Sequence, residues 1–582
     1  MSPARSDGVR LRSHEWLLGR DELGFQHRGA LRQLGLDMDG YVGQPVIGIA
    51  SSWSELNPCN LSLRVMAEAV KAGVRQAGGI PLEFPTLSLG EDLMKPSAMM
   101  YRNLMAMEVE ENLRAYPLDG VVLLGNCDKT IPAQLMAAAS ADLPAIQLNG
   151  GPRLAGSFRG RRVGSGTDLW RLWDEVRAGR LSEAEFEEVE KALYSGPGSC
   201  NVMGTASTMS ALAEALGMMP AGSSSAVVND KQRYATATAA GARIVEMVKD
   251  DLRPSAILTP AAFDNAVRVL LALGGSTNAV LHLLAIAGRA LVPLTLERID
   301  AASAAVPCLV DVQPAGNGLM EDLHAAGGVP AVMKRLAPWL DLDARTISGR
   351  SWKALLSEIV YAENETIRSL DRPVAPAPTL AVLRGSLAPS GAVLKVAAAS
   401  RDLHRHQGPA VVFDTYAEML ARIDDPGLEV TPDSVLVLRN AGPKGGPGMP
   451  EWGMLPIPKK LQQAGVRDMV RVSDARMSGT SYGTCVLHIA PESAVGGPLA
   501  LVRTGDRIRL DVGARRLDLE VPEEELGRRR AGWVPVESPH LRGYPLLYLK
   551  EVLQANEGCD FDFLRPRSES ARRFVGPVVG RS

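Results

Sequence analysis

The chain has 582 residues, of which 46% are hydrophobic and 22% charged, so it is an ordinary globular protein too long for one hydrophobic core. Its net charge of −3 favours neither nucleic acids nor acidic membranes as partners, and we expect a small-molecule ligand instead. Six cysteines in this length are not a disulfide framework, which indicates a reducing compartment, by default the cytoplasm.

The N-terminal residues do not predict a signal peptide. Residues 1–7 lack the apolar stretch of a signal peptide. Farther along, no uncharged apolar run reaches the roughly 20 residues that a membrane span requires. The best candidate, residues 279–294, is interrupted by His282 and Arg289, and His282 is interpreted as a core residue. We therefore expect no membrane association.

Residues 44–124 alternate apolar strands with amphipathic helices, and residues 144–148 resemble a fourth strand. The pattern predicts helices at 61–77 and 98–115, and strands at 45–50, 81–87, 120–124 and 144–148. This alternation predicts a largely parallel sheet, hence an α/β fold. Ligands of such sheets bind beyond the carboxyl ends of the strands. The segments that follow the first three strands, 51–59, 87–92 and 127–129, are therefore expected at one sheet edge.

Beyond residue 148 the pattern becomes helical and later β-rich. Helices are expected in a charged surface stretch at 168–195 and at 205–217, 234–250 and 262–290. The Pro-rich segment 372–378 is the best linker candidate. After it, short glycine-separated strands are predicted at 410–413, 434–438, 469–472, 484–489, 507–512 and 516–521. We expect an α/β domain at 1–372 and a β-rich, barrel-like domain at 379–582.

Three cysteines lie in short loops marked by Gly, Pro or Asn: Cys59, Cys127 and Cys200. A single free cysteine is more often a small buried hydrophobic residue, and we interpret the others in this way: Cys308, Cys485 and Cys559. The loop cysteines are far apart, which excludes a local zinc ribbon or a ferredoxin-type run. They favour one composite metal centre, because three sulfurs leave a position on an iron free for Lewis-acid chemistry.

Asp128 and Lys129 follow Cys127 directly. A surface ion pair or a loop-stabilising lysine is the ordinary interpretation. The alternative is a lysine carbamylated by CO2, whose new carboxylate binds Mg2+. Glu91, in the segment 88–92, and Glu451, in the segment 447–451, could complete an all-oxygen site suited to a hard cation.

Two glycine-rich segments follow in the C-terminal part. The loop 442–448 lacks the closing GK[ST] of a P-loop, so phosphate binding is weakly supported. In the segment 473–483, Ser478 precedes a glycine, and its hydroxyl is a candidate nucleophile, base or turn former. The segment does not match GxSxG and no Ser–His pair is visible, which disfavours a hydrolase.

Six segments occur in the order and with the residues of one known family: 57–60, 127–130, 203–209, 274–279, 442–451 and 473–480. Together they resemble the iron–sulfur-dependent dihydroxy-acid and sugar-acid dehydratases. The resemblance extends from Gly48 to about Leu526. It implies an N-terminal α/β domain, a C-terminal β-barrel domain, and assembly as a homodimer or homotetramer.

The resemblance also implies the roles of the candidate residues. It implies an iron–sulfur cluster, [2Fe-2S] with [4Fe-4S] as the alternative, held by Cys59, Cys127 and Cys200. It implies Mg2+, or Mn2+ in its place, held by Glu91, Asp128, a CO2-derived carbamate on Lys129, and Glu451. It implies that Ser478, as an alkoxide, is the catalytic base.

Three stretches resemble the aldonic-acid branch, which acts on pentonates such as L-arabinonate or D-xylonate: 101–107, 203–209 and 473–480. The expected reaction converts a 2,3-dihydroxy acid into a 2-keto-3-deoxy acid. Residues 197–200 depart from the Gly-His-Cys of that branch, and Ser386 stands where Asn is usual. The alternatives are a branched-chain dihydroxy-acid dehydratase, a 6-phosphogluconate dehydratase, and an iron–sulfur electron carrier or sensor, which would normally use four cysteines.

Overall fold

The computed structural model describes residues 11–39, 41–360 and 363–572. Residues 1–7, on which the signal-peptide expectation rests, lie outside these ranges. Within the described ranges, no helix combines the length and the apolar composition needed to cross a membrane.

Helices and strands alternate in the first part of the chain, and strands dominate later. The helices are α1 His14–Leu17, α2 Glu22–Arg32, α3 Leu63–Gln76, α4 Ala98–Ala115, α5 Thr130–Ala141, α6 Thr167–Arg177, α7 Glu183–Leu193, α8 Thr205–Ala215, α9 Lys231–Lys249, α10 Pro254–Ile257, α11 Pro260–Ala272, α12 Asn278–Arg289, α13 Leu296–Ser303, α14 Met320–Ala325, α15 Gly328–Leu336, α16 Trp352–Glu358, α17 Tyr416–Arg422, α18 Lys459–Gln463, α19 Glu523–Ala531, α20 Gly543–Glu551 and α21 Glu569–Arg572. The strands are β1 Val46–Ser51, β2 Ile80–Pro85, β3 Gly120–Leu124, β4 Ala145–Leu148, β5 Gly156–Phe158, β6 Arg161–Val163, β7 Ala381–Leu383, β8 Gly391–Leu394, β9 Arg405–Phe413, β10 Val435–Leu438, β11 Glu451–Trp452, β12 Arg471–Ser473, β13 Arg476–Met477, β14 Cys485–Ala490, β15 Arg507–Asp511 and β16 Arg516–Leu519.

The first sheet is parallel, as the βαβ alternation predicts. Its strand order is β2-β1-β3-β4, and every pair of neighbours runs in the same direction. Strands β1, β3 and β4 are buried along their whole length, which explains their nearly continuous apolar sequences. Because the strands are parallel, the segments that leave β1, β2 and β3 emerge at one edge of the sheet.

The second sheet has eight strands in the order β16-β15-β9-β10-β12-β14-β8-β7. Its central strands β9, β10, β12 and β14 are parallel, whereas the outer pairs are antiparallel. The two ends of the sheet meet at Arg384, whose backbone N–H donates to Arg515 O and whose carbonyl accepts from Leu517 N, both at 2.9 Å. These contacts nearly close the sheet, so the barrel-like prediction is confirmed.

Several elements differ in detail from the sequence prediction. The helix expected at 262–290 is two helices, α11 and α12, separated by a turn in which Gly274 has φ of +56°. The charged stretch at 168–195 likewise forms two helices, α6 and α7. The short strands β7 and β8 were not predicted, because three or four residues between glycines and prolines give little periodicity.

Candidate active site

The loops after β1 and β2 are joined by a small network of side chains. The side-chain amide of Asn60 donates to the carbonyl of Ser52 at 2.9 Å and to Ser88 Oγ at 2.9 Å. The hydroxyl of Ser88 donates to Ser52 O at 2.6 Å. The other side-chain atom of Asn60, Oδ1, accepts from the backbone N–H of Cys127 at 3.1 Å. One buried asparagine thus connects the loops that follow β1, β2 and β3.

A second buried asparagine, Asn126, connects the three cysteine loops. Its Nδ2 donates to Cys59 O at 2.7 Å and to Gly151 O at 3.0 Å, while its Oδ1 accepts from Gly151 N at 2.9 Å. Gly151 O also accepts from the backbone N–H of Ser199, next to Cys200, at 3.0 Å. Asn126 was not a candidate from the sequence, where an asparagine beside a cysteine indicates only a loop.

The three loop cysteines lie together at this edge. The thiols of Cys59 and Cys127 hydrogen bond to each other, which lowers the pKa of Cys59 and raises that of Cys127 well above its ordinary value. Burial raises the pKa of Cys200 to about 12, although the guanidinium of Arg153 opposes this effect and the Cys59 sulfur reinforces it. Arg153 therefore adds positive charge beside a group of thiols whose ionisation burial disfavours.

The predicted oxygen ligands also converge. Carboxylate oxygens of Glu91, Asp128 and Glu451 all lie within 4.8 Å of one another. The Nζ atom of Lys129 is completely buried among them, at 3.2 Å from Glu91, 2.6 Å from Asp128 and 2.9 Å from Glu451. The surface ion-pair interpretation of Lys129 is therefore wrong. Glu451 belongs to β11 in the C-terminal part of the chain, so the two parts form this cluster together.

Arg476 is a fifth charged side chain of this cluster, and it was not a candidate from the sequence. Its Nη2 donates to Glu91 Oε1 at 2.5 Å and to Ser97 Oγ at 2.9 Å, and its Nη1 donates to Glu451. The only indication of this role in the sequence was its position two residues before Ser478. Two cations thus face the three carboxylates, which limits the cost of burying them.

The pKa values of two carboxyl groups in this cluster are shifted in opposite directions. Burial would raise the pKa of Glu91, but Arg476 and Lys129 lower it to about 2. Burial raises the pKa of Asp128 to about 7; the charge of Lys129 opposes this rise, and repulsion from Glu451 and Glu91 adds to it. Among the described residues, Oδ1 of Asp128 has no hydrogen-bond partner. An unsatisfied buried carboxylate oxygen inside an acidic cluster is suited to a metal ion.

Ser478 lies in a tight loop next to this cluster. Its backbone N–H donates to Trp452 O at 2.9 Å, which ties the loop to the residue after Glu451. Its Oγ lies 2.9 Å from Thr480 Oγ1 and accepts from Thr480 N at 3.3 Å. The following residue must be glycine, since a Cβ at Gly479 would lie 2.6 Å from the side chain of Ser276.

Asn278, at the start of α12, joins the Ser478 loop to the carboxylates. Its Nδ2 lies 3.1 Å from Glu451 Oε2 and 3.2 Å from Met477 O. The segment 274–279 was part of the family resemblance, but no role was predicted for Asn278. Hydrogen bonds of Asn278 therefore join the carboxylate cluster to the loop that carries Ser478.

Two family models match the chain. The model of the dihydroxy-acid/6-phosphogluconate dehydratase N-terminal region covers residues 44–355, and that of the C-terminal region covers residues 365–559. The chain belongs to the dihydroxy-acid/6-phosphogluconate dehydratase family. It is a hydro-lyase, and the second match extends beyond Leu526, where the sequence resemblance ended.

Curated relatives of this dehydratase match over nearly the full length. It is 52% identical to a 6-deoxy-6-sulfo-D-gluconate dehydratase from Pseudomonas putida, with 95% of this chain and 96% of the relative covered. It is 50% identical to an L-arabinonate dehydratase from Rhizobium leguminosarum, with 96% of each chain covered. Identity to a dihydroxy-acid dehydratase from Pyrococcus abyssi is 43%, over 92% of this chain and 97% of the relative.

Proposed function

We propose that this dehydratase removes water from a 2,3-dihydroxy carboxylic acid of the aldonic (sugar-acid) type and yields a 2-keto-3-deoxy acid. The observation that carries the proposal is the meeting of a thiol trio, a three-carboxylate cluster around Lys129, and the hydroxyl of Ser478. The higher identity to relatives named for sugar acids, compared with 43% to a dihydroxy-acid dehydratase, supports the aldonic type.

The thiol trio fits an iron–sulfur cluster. Cys59, Cys127 and Cys200 come from loops fixed by Asn126, and all three are free. Three thiolates leave one iron position for a substrate, whereas an electron carrier normally has four cysteines. We propose [2Fe-2S], with [4Fe-4S] as the alternative. The positive charge of Arg153 beside the sulfurs would favour the thiolate forms that ligation requires.

The carboxylate cluster fits a hard divalent cation, Mg2+ or Mn2+. We propose that Glu91, Asp128, Glu451 and a carbamate on Lys129 hold this ion. Burial and Arg476 lower the pKa of Lys129, but the three carboxylates raise it above the ordinary value. The neutral amine that reacts with CO2 is therefore rare without a metal, and we expect carbamylation and metal binding to depend on each other.

The residues of the chain divide the work of the proposed reaction. When bound, the divalent ion and the cluster would supply positive charge at the acid group and Lewis acidity at the leaving hydroxyl. Ser478 Oγ would accept the C2 proton, for which it must first be deprotonated. The two donors of Thr480 that face Ser478 Oγ would stabilise the resulting oxyanion.

Further features of the protein are proposed with this function. We propose a cytoplasmic homodimer or homotetramer, and domains at 1–372 and 379–582. A branched-chain dihydroxy acid is the alternative substrate. A 6-phosphogluconate substrate would need a phosphate pocket, which the sequence analysis did not locate, and an iron–sulfur carrier or sensor would show redox cycling without dehydration.

One experiment tests the proposal directly. Anaerobically purified protein is incubated in the presence of Mg2+ with one acid at a time. The acids are a panel of aldonic acids, 6-phosphogluconate and 2,3-dihydroxyisovalerate, and the formation of a 2-keto acid is measured. We expect 2-keto acid from at least one aldonic acid. Product from dihydroxyisovalerate alone would favour the branched-chain alternative, and no product from any acid would contradict the proposal.

A further inference from the structure

Helix α6 holds the loop that follows Ser478 from outside the site. We propose that Trp170 of this helix is a positioning residue, which fixes the hydroxyl of Thr480 so that its proton points towards Ser478 Oγ. This inference rests on the proposed function, since it takes Ser478 to be the base.

The start of α6 contacts Thr480 at three points. The indole Nε1 of Trp170 donates to Thr480 Oγ1 at 3.0 Å, and Thr167 Oγ1 donates to Thr480 O at 2.9 Å. Gly166 packs directly on the side chain, because a Cβ there would lie 2.6 Å from Thr480 Cβ, Cγ2 and Oγ1. Both the backbone and the side chain of Thr480 are therefore held by the N-terminal part of the chain.

The hydrogen-bonding capacity of these groups sets the direction of the proton. An indole N–H only donates, and a threonine hydroxyl has one proton and two acceptor lone pairs. The donation from Trp170 uses one lone pair of Thr480 Oγ1. Once Ser478 is an alkoxide it only accepts, so the Thr480 hydroxyl must donate across the 2.9 Å that separate the two oxygens. Donation from Trp170 also polarises this hydroxyl and strengthens the next hydrogen bond.

The indole ring has little freedom to move away. A Cβ at Gly453, two residues after Glu451, would lie 2.0 Å from Cη2 of Trp170, so the ring lies flat against that glycine. Farther along α6, Gln462 Nε2 donates to Asp174 at 2.8 Å and Arg177 Nη2 donates to Ile457 O at 3.0 Å. These contacts fix α6 on the C-terminal part, and with it the position of Nε1.

The test replaces the indole N–H and keeps an aromatic ring. Trp170→Phe is compared with Trp173→Phe, which makes the same change three residues along α6, where the ring packs on Phe186. For Trp170→Phe we expect kcat to fall about three- to tenfold, the value of one net hydrogen bond, with KM unchanged. We also expect the rising limb of the kcat–pH profile to move upward by about half a pH unit. Trp173→Phe should match the wild type.

The pH profile separates positioning from packing. The substitution alters none of the titratable groups around the loop, which are Cys200, Asp168, Arg171, Asp174, Tyr482 and Glu451. A profile identical to the wild type would overturn the inference. If kcat and the thermal unfolding midpoint both fall while the pH profile stays that of the wild type, the ring only packs, and the inference fails in this case too. A wild type inactive on every acid would remove the proposed function as well, so the two failures are distinguishable.

Discussion

The Nη2 atom of Arg476 lies 2.5 Å from Oε1 of Glu91, and the same guanidinium bonds Glu451 through Nη1. One arginine therefore links two carboxylates that come from opposite parts of the chain. The guanidinium is fully buried, and the Glu91 and Glu451 side chains are only 19% and 10% exposed, so each charge depends largely on the others for compensation.

Removal of this guanidinium should destabilise the metal-free protein. For Arg476→Met we expect a loss of about 3–5 kcal/mol in the free energy of unfolding, because two buried carboxylates lose a charged partner. Urea unfolding without divalent ions measures the effect. Arg405→Met is the control, since Arg405 is exposed and 3.7 Å from Asp511, and it should cost less than about 1 kcal/mol. Equal losses in both variants would contradict the role of Arg476.

Replacement of the proposed base should separate chemistry from cofactor binding. We expect Ser478→Ala to abolish dehydration and to leave the visible absorption of an iron–sulfur cluster intact, because the hydroxyl lies outside the thiol trio. Steady-state assays and absorption spectra check both parts. Ser357→Ala removes an exposed hydroxyl on α16 and should be fully active. Full activity of Ser478→Ala would rule out this base.

Loss of one loop thiol should have the complementary effect. We expect Cys127→Ser to lose the visible iron–sulfur absorption and the activity together, because a serine hydroxyl is a poor substitute for a thiolate ligand. Cys485→Ser, in a buried strand of the second sheet, should keep the spectrum even if its stability is lower. The ligand assignment fails if the Cys127→Ser spectrum equals that of the wild type.

The backbone around Ser478 leaves no space for one extra carbon. In Gly479→Ala the new Cβ would lie 2.7 Å from Thr205 N, a backbone atom that cannot move freely. We expect activity to fall at least about tenfold, since the loop must shift, while the iron–sulfur spectrum is retained. In Gly527→Ala, within α19, the new Cβ meets no atom of the described residues within 4 Å, and the change should be neutral or slightly stabilising. Unchanged activity of Gly479→Ala would show that the loop tolerates displacement.

A buried glutamate outside the site should make stability depend on pH. Burial raises the pKa of Glu214 from 4.5 to about 7, against hydrogen bonds from Ser224 and Gly222. Between these values the folded protein keeps a proton that the unfolded chain releases. This contribution is therefore complete below pH 4.5 and is lost as the pH rises through 7, by up to about 3 kcal/mol.

Glu214→Gln should remove that contribution. We expect its unfolding midpoint in urea to fall less between pH 5 and pH 8 than that of the wild type, although the lost acceptor lowers its stability at pH 5. Glu188→Gln, at an exposed position of α7, should keep the wild-type dependence. An identical slope in all three proteins would exclude Glu214 as a source.

The alternation of strands and helices was enough to predict the first sheet and the edge at which Cys59, Glu91 and Cys127 meet. This prediction succeeds because buried parallel strands have continuous apolar sequences, and their carboxyl ends lie at the same edge of the sheet. The contacts between the two parts of the chain were not predictable in the same way. Arg476 reaches Glu91 across 385 residues, and no local pattern encodes a pair at that separation.

The residues after 540 were missed for a similar reason. Cys559 was interpreted as an isolated buried thiol, and its side chain does pack on Met449 Sδ at 3.4 Å. Its carbonyl, however, accepts from Arg102 Nη2 and Asn103 Nδ2, both at 2.9 Å, so the C-terminal segment holds α4. A backbone acceptor has no signature in the sequence, and only the folded chain reveals which side chains it serves.

The position of Glu451 opposite Lys129 has a consequence for how this protein can diverge. Each half of the chain carries only some of the charged side chains of the cluster. Selection therefore acts on a substitution in one half only in combination with the residues of the other half. Exchange of a half between distant homologues would bring together partners that had never been matched, and such hybrids should often be inert even when both pieces fold.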